Sequence, residues 1–452
     1  MRWGCRHIRY RRDVPDDSLG NPLVEGEFMH ELATRLFPIC RSITGDGVRE
    51  TLEILGDYLP GLTVVEVPSG TGVFDWTVPD EWNIRGAYLM GPDGQRVIDF
   101  ANSNVHVVSY SVPVDAELSL EQLQEHLHSD EVHPTAIPYV TSYYNRNWGF
   151  CLPHEQRVSL PDGTYRAVID STLEPGHLTY GEFVLPGETD DEIFISTYIC
   201  HPSLANNELS GPVVSVALAR WLMSVPNRHF TYRFAFVPES IGAITYTSRN
   251  LEHLREHVVA GFNLTCIGDD GDYSYLASRL GNLPIDRIAR RVLAARTPSV
   301  EYSYLDRGSD ERHYGAPGVD LPIVSLMRTK YGAYPEYHTS LDGLTVITPT
   351  GLQGGLDLVR DCIKMLDSSE YYQTNVLAEP QLGKRGLYHT MHARTVADII
   401  LLRTNVMAYA DGKHSVQDMA ELFGLPVEEV QEVVQELAEH DLLVKLPGLR
   451  AT

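Results

Sequence analysis

Four apolar runs most constrain what this chain can fold into. EIFISTYI (192–199), FTYRFAFV (230–237), VAGFNLTCI (259–267) and LPIVSLM (321–327) are nearly continuous in apolar residues. A strand of that kind must be covered on both faces, which is the habit of central strands in a mostly parallel sheet. Helical patterns fall between them, at 211–223, 241–256, 284–295 and 347–367. Strands alternating with helices imply an α/β domain, its mostly parallel mixed sheet flanked by helices.

The flanking segments read differently. Residues 25–60 carry two helical stretches broken around Pro38 and Gly45, with Thr44 or Asp46 as candidate cap of the second. From 62 to 182, short β-type runs such as LTVVEV and VHVVSYSV are punctuated by Pro, Gly and Asp, with one helical insert, SLEQLQEHLH. This stretch is expected to be a β-rich domain inserted into the main one. Residues 385–452 read as three helices and a short strand, the outline of a winged helix. Residues 1–22, rich in Arg without an apolar segment, are expected to be a disordered tail. The α/β domain is thus assigned to 23–61 and 183–384.

Charge narrows the partners. The formal net charge of -25 repels phosphate backbones and anionic lipids, so neither nucleic acid nor membrane is expected. The stretch 395–452 carries ten acidic residues against four basic ones, and the helix in the recognition position, PVEEVQEVVQELAEH, has no Lys or Arg. The C-terminal module is therefore expected to make protein contacts, as in a homo-oligomer, and not to act as a transcription regulator. Six scattered cysteines without a C-x-x-C pair suit reduced thiols in a cytoplasm.

Ligands in open α/β sheets sit at the carboxyl ends of the strands. Here the first run leads into CHPSLANNELSG, the second into PESIGA, the third into GDDGD, and the fourth is followed by YPEYHTSLD. His201, Glu239, an Asp pair and His338 thus converge on one sheet edge. Neutral imidazole and carboxylate together suit zinc. Taken singly, each residue has a second reading. Glu208 could cap the following helix, and Glu239 could be structural in a turn. Asp310, Glu311 and Arg312 could anchor substrate or form a surface charge cluster. Tyr143, Tyr144 and Trp148 could line the site or simply pack. Asp269 and Asp270 read as loop residues. Cys200, ending an apolar strand, is not expected to be a nucleophile.

The phrases WTVPDEWNI, IPYVTSYY, WGFCL, YICHPSLANNELSG, GSDERHY, YPEYHTSLD and YADGKHS, spread over residues 30–450, resemble a bacterial family of aminopeptidase-like proteins. Its members combine a zinc aminopeptidase-type domain, an inserted β domain and a C-terminal winged helix, and are often encoded near polysaccharide-biosynthesis genes. The resemblance implies a metal ligand at His201, a base at Glu239 and a second histidine ligand at His338. The stretch that matches the aminopeptidases' bridging Asp holds Asn206, Asn207 and Glu208. Ser240 and Thr265 stand where those enzymes carry further carboxylates. One zinc on His201, Glu208 and His338 is therefore expected, with Glu239 activating water. Asp310, Arg312, Tyr144 and Trp148 would contact a small peptide or amide substrate. A catalytically inactive metal-binding scaffold is the alternative.

Overall fold

The computed structural model describes residues 22–388 and 394–449; the expected tail at 1–22 lies outside the described residues apart from Pro22. The main domain is built on eight strands: β1 (Thr63–Pro68), β2 (His177–Leu185), β3 (Glu192–Tyr198), β4 (Thr231–Val237), β5 (Val258–Leu264), β6 (Tyr273–Leu276), β7 (Ser299–Tyr302) and β8 (Ile323–Met327). Their order across the sheet is β1-β2-β4-β3-β5-β8-β6-β7. The β4-β3, β3-β5, β5-β8 and β6-β7 pairings are parallel. The β1-β2, β2-β4 and β6-β8 pairings are antiparallel. The sheet is thus mixed with a parallel centre, as the apolar runs require, and every residue of β3, β5 and β8 is buried.

Helices cover both faces at the expected places: Ser210–Ser224, Ile241–His257, Pro284–Ala294 and Pro349–Ser368. The last begins with Thr348, whose hydroxyl accepts the Gly351 N–H at 2.8 Å, and has Pro349 in its first turn. Helix Asp46–Gly56 has no side-chain cap. Thr44, expected as a candidate cap, instead hydrogen-bonds the Tyr110 hydroxyl and the Trp82 N–H.

The start of helix Ser210–Ser224 is pressed onto the sheet. A methyl group on Gly211 would collide with the Thr197 hydroxyl and the Leu264 carbonyl, on β3 and beside them on β5. Only glycine permits that approach, and it brings the segment before the helix over the carboxyl ends of both strands.

Two boundaries differ from expectation. β1 and the greater part of β2, up to Glu182, placed by their sequence in the inserted domain, belong to the main sheet. Both lie toward one edge of the sheet and mix polar with apolar residues, so their patterning matches that of the insert. The insert proper carries a four-stranded antiparallel sheet of Arg96–Asp99, Glu81–Met90, Thr164–Glu174 and Val114–Ser119, with its own core around Leu89, Leu123, Phe150 and Ile169. The C-terminal module begins at strand Tyr371–Thr374, which pairs with Asp411–Ser415 and Leu443–Lys445. Helices Arg394–Tyr409, Val416–Phe423 and Val427–Glu439 complete the winged helix. Arg287 and Arg291 of the main domain pair with Asp418, and Arg291 also pairs with Glu421. No described helix is long and apolar enough to cross a membrane.

Gly211→Ala should lower stability by about 1–3 kcal/mol, because the added carbon overpacks against backbone. Urea unfolding measures this; a wild-type midpoint would show that the helix can back away from the sheet.

Candidate metal centre and active site

β3 runs out into Ile199, Cys200 and His201, and the chain then makes one π-helical turn, Ala205–Leu209, before helix Ser210–Ser224. Such turns are rare and often lie at functional sites. The turn is capped by Asp342, whose two carboxylate oxygens accept the Asn206 and Asn207 N–H groups at 2.8 and 2.9 Å. It carries Glu208 back toward His201.

The Glu208 carboxylate accepts from His201 Nδ1 at 2.9 Å. On its other side Arg41 Nε lies 3.0 Å away. Arg41 and Glu208 are wholly buried, and Arg41 also donates to the carbonyls of Leu36, His201 and Pro202. Burial opposes a positive charge on His201, but the Glu208 hydrogen bond and charge outweigh it, so its pKa is raised. A hydrogen on Nδ1, directed at Glu208, leaves Nε2 as the free nitrogen, facing Glu239 Oε2 at 3.7 Å.

Glu239 follows β4 and sits at the turn into helix Ile241–His257. Its N–H donates to Cys200 Sγ at 3.1 Å. Ser240, next in the chain, has φ 61° and ψ -83°, close to the strained γ-turn region. Two groups from the GSDERHY segment hold it there. Asp310 Oδ1 accepts the Ser240 N–H at 2.7 Å, and Arg312 donates to the Ser240 hydroxyl at 2.6 Å. Burial raises the Glu239 pKa, though His201 and Arg312 pull it down; burial and the neighbouring Glu239 push Asp310 far up. Asp310 and Arg312, expected to contact substrate, thus brace the turn that presents Glu239. Glu311 is buried in hydrogen bonds from Asn263, Ser325, Tyr331 and the Gly308 and Ser309 N–H groups.

His338 approaches from the loop after β8. Its ring lies 5.5 Å from the His201 ring and stacks on Tyr337 at 3.9 Å. Burial and His201 lower its pKa to about 3, so it is a neutral imidazole. His338 Nε2 is buried without a hydrogen-bond partner, and so are Asp310 Oδ2, Ser309 Oγ and Asn207 Nδ2. Buried polar atoms are nearly always satisfied. The unpartnered His338 Nε2, on the ring beside His201, is an exception that a bound group would satisfy.

The expected ligand set His201–Glu208–His338 is not assembled. Glu208 occupies the Nδ1 side of His201, already balanced by Arg41, and so faces away from the free Nε2. Among the described residues, the one compact trio of metal-binding side chains is Cys200, His201 and Glu208. It does not suit a cation. The Arg41 guanidinium already sits there, and burial pushes the Cys200 thiol far above its ordinary pKa. Two imidazole nitrogens stand apart from that trio: His201 Nε2, 3.7 Å from Glu239, and the unpartnered His338 Nε2, on rings 5.5 Å apart.

Asn207 and Thr265 are taken up in a hydrogen-bond network with Tyr198. Asn207 Oδ1 accepts from the Tyr198 hydroxyl at 2.8 Å, and that hydroxyl also meets Thr265 Oγ1. Asp269 is taken up by Asn206 and Thr329 and Asp270 by Thr348, in agreement with their reading as loop residues. Of the aromatic candidates, Trp148 stacks on His126 within the inserted domain, and Tyr144 is exposed beside Trp76. The inserted domain instead sends in Tyr139, whose ring stands edge-on to both His201 (5.2 Å) and His338 (5.3 Å) and whose hydroxyl meets that of Tyr143 at 2.9 Å. Tyr139 lies inside the phrase IPYVTSYY; nothing in its local pattern separates it from Tyr143 or Tyr144. Arg41 gave no signal at all, because its partner lies 167 residues away.

A strand-end histidine and carboxylate on a parallel-centred mixed sheet define an aminopeptidase-like α/β protein. More particularly, residues 30–369 match the family described as a domain of unknown function, DUF4910, and residues 370–445 match a winged helix-turn-helix; the chain belongs to that family. A relative from Clostridium acetobutylicum, provisionally named a polysaccharide biosynthesis protein with an aminopeptidase-like domain, is 41% identical over 422 residues, covering 92% of this chain and 96% of that one. A crystal structure from the same organism, provisionally named a peptidase, superposes with a TM-score of 0.79 at 40% identity, over 94% of this chain and 98% of that one. A zinc aminopeptidase from Bacillus subtilis shares the fold with a TM-score of 0.55 at 14% identity, over 75% of this chain and 94% of that one.

Arg41→Met strands the buried Glu208 charge and should cost about 3–5 kcal/mol. Adding Glu208→Gln removes that charge, so the double variant should be less destabilised than the sum of the single ones. A denaturation double-mutant cycle measures the coupling; simple additivity would deny the ion pair its role.

Proposed function

We propose that this protein is a metal-dependent hydrolase of an amide bond, with His201 and His338 holding one zinc ion and Glu239 as general base. The observation that carries this reading is the orphaned, buried, neutral His338 nitrogen, set beside a His201 whose own free nitrogen faces Glu239. Bound there, zinc would lower the pKa of a coordinated water and polarise a carbonyl. Glu239 would be the residue that accepts a proton from the attacking water and returns it to the leaving amine. Glu208 and Arg41 hold His201 in the tautomer that keeps Nε2 free, as outer partners of metal-bound histidines do. The Cys200, Asp310 and Arg312 contacts keep the Glu239 turn in place.

The name of the Clostridium relative supports testing N-acylated sugars alongside aminoacyl amides. A second reading, an inactive metal-binding scaffold, is favoured by one feature: Ser240 and Thr265 are neutral where the resemblance to the aminopeptidases implies carboxylates. The winged helix fits a protein-contact surface, since helix Val427–Glu439 presents Glu428, Glu429, Glu432 and Glu439 to solvent.

Protein purified without added metal and then dialysed against zinc should hold one ion per chain, lost in His201→Ala/His338→Ala. Glu239→Gln should keep the ion and lower turnover at least about 100-fold on whichever amide of the panel the wild type cleaves. Two tightly held ions would refute the one-metal assignment. Zinc binding without turnover on any amide would leave the scaffold reading. Loss of zinc in Glu239→Gln would make Glu239 a ligand.

A further inference from the structure

We infer that the inserted domain is an integral part of the metal centre: segment Ile137–Tyr139 is what holds His338 in place, with Tyr139 as positioning residue. This rests on the reading of His201 and His338 as metal holders and adds to it the part that makes His338 competent.

The need for a holder comes from the backbone. His338 has φ 56°, a left-handed conformation that a side-chain-bearing residue keeps only when its surroundings impose it. The surroundings that impose it come from a segment 200 residues earlier in the chain. Tyr139 N–H donates to the His338 carbonyl at 2.8 Å. Ser340 N–H donates to the Ile137 carbonyl at 2.8 Å, and Ile137 N–H returns to the Ser340 hydroxyl at 3.0 Å. Pro138 and Thr339 face each other between them as an antiparallel bridge. The two segments thus form a short ladder that begins at His338. The Tyr139 ring then stands edge-on to both imidazoles, at 5.2 Å from His201 and 5.3 Å from His338. It is a spacer that fixes how far apart the two nitrogen donors stand.

The segment is in turn tied to its own domain. Ser109 N–H donates to the Val140 carbonyl, and Ser142 N–H to the Ser109 carbonyl. The insert therefore reaches across the sheet edge and completes the site from above. Its aromatic residues act on the histidines through geometry.

The test reads metal affinity and hydrogen exchange, so it does not depend on a known substrate. Zinc affinity is measured by chelator competition on full-length wild type, Tyr139→Leu, Tyr139→Phe and Ser340→Ala. Outer partners of metal-bound histidines are worth about 10–100-fold in affinity. Tyr139→Leu should lose that much, Tyr139→Phe should keep wild-type affinity because the ring is retained, and Ser340→Ala should lose a smaller part. If Tyr139→Leu does not fold, Ser340→Ala carries the same comparison. Because coupling between sites is reciprocal, zinc should also slow amide exchange at Tyr139 and Ser340 in the wild type. Wild-type affinity in both Tyr139→Leu and Ser340→Ala would overturn the inference while leaving the metal reading intact. An equal loss in Tyr139→Phe would assign the effect to the hydroxyl and overturn the spacer role. A wild type that binds no zinc would overturn both.

Discussion

The site depends on one buried ion pair. Arg41 and Glu208 lie at the root of the strand-end segment, both without solvent contact, 3.0 Å apart. A buried carboxylate is expensive unless a cation and hydrogen bonds satisfy it. Glu208 spends one oxygen on Arg41 and the other on His201 Nδ1. Arg41 in turn ties down the carbonyls of His201 and Pro202. The backbone and the ring of His201 are thus both set by one pair of charges. The lowered pKa of His338 and the raised pKa of His201 follow from the same arrangement, since one ring has a carboxylate beside it and the other has only burial and a neighbouring imidazole.

The other elements add constraints around that pair. The motif YPEYHTSLD does three jobs at once. His338 enters the site, Ser340 joins the inserted domain, and Asp342 caps the π-helical turn that carries Glu208. A single loop therefore couples the second histidine, the insert and the positioning carboxylate. Burial raises the Asp342 pKa to about 6, while the Asn206 and Asn207 N–H groups draw it down. The strained Ser240 completes the picture from β4, braced by Asp310 and Arg312. Backbone strain at His338 and Ser240 sits on the two elements that converge on His201, as expected where a fold holds side chains in unfavourable positions for a purpose.

Much of the fold was legible because burial on both faces leaves a plain mark. β3, β4, β5 and β8 read as apolar runs, and the intervening helices fell within a few residues of their expected ends. β1 and most of β2 were misplaced because strands toward that edge carry the same mixed pattern as the insert. The convergence of His201, Glu239 and His338 was legible from strand ends and resemblance together. The role of Glu208 was not. Seven residues after His201, it could bind a metal, cap a helix or reach back to the ring, and the choice was made by Arg41, far away in sequence. Asp310 and Arg312 looked like substrate anchors because charges near a site look alike in sequence. In the structure both hydrogen-bond Ser240. Tyr139 escaped notice among three tyrosines within six residues, because only the tertiary ladder to His338 singles it out.

The most direct measurement is anomalous diffraction at the zinc edge from crystals of the zinc-loaded protein. One peak is expected, bonded to His201 Nε2 and His338 Nε2, with Glu208 still on His201 Nδ1 and paired with Arg41. A peak on the Cys200–Glu208 side of His201, with Arg41 displaced, would contradict the arrangement on which the site depends.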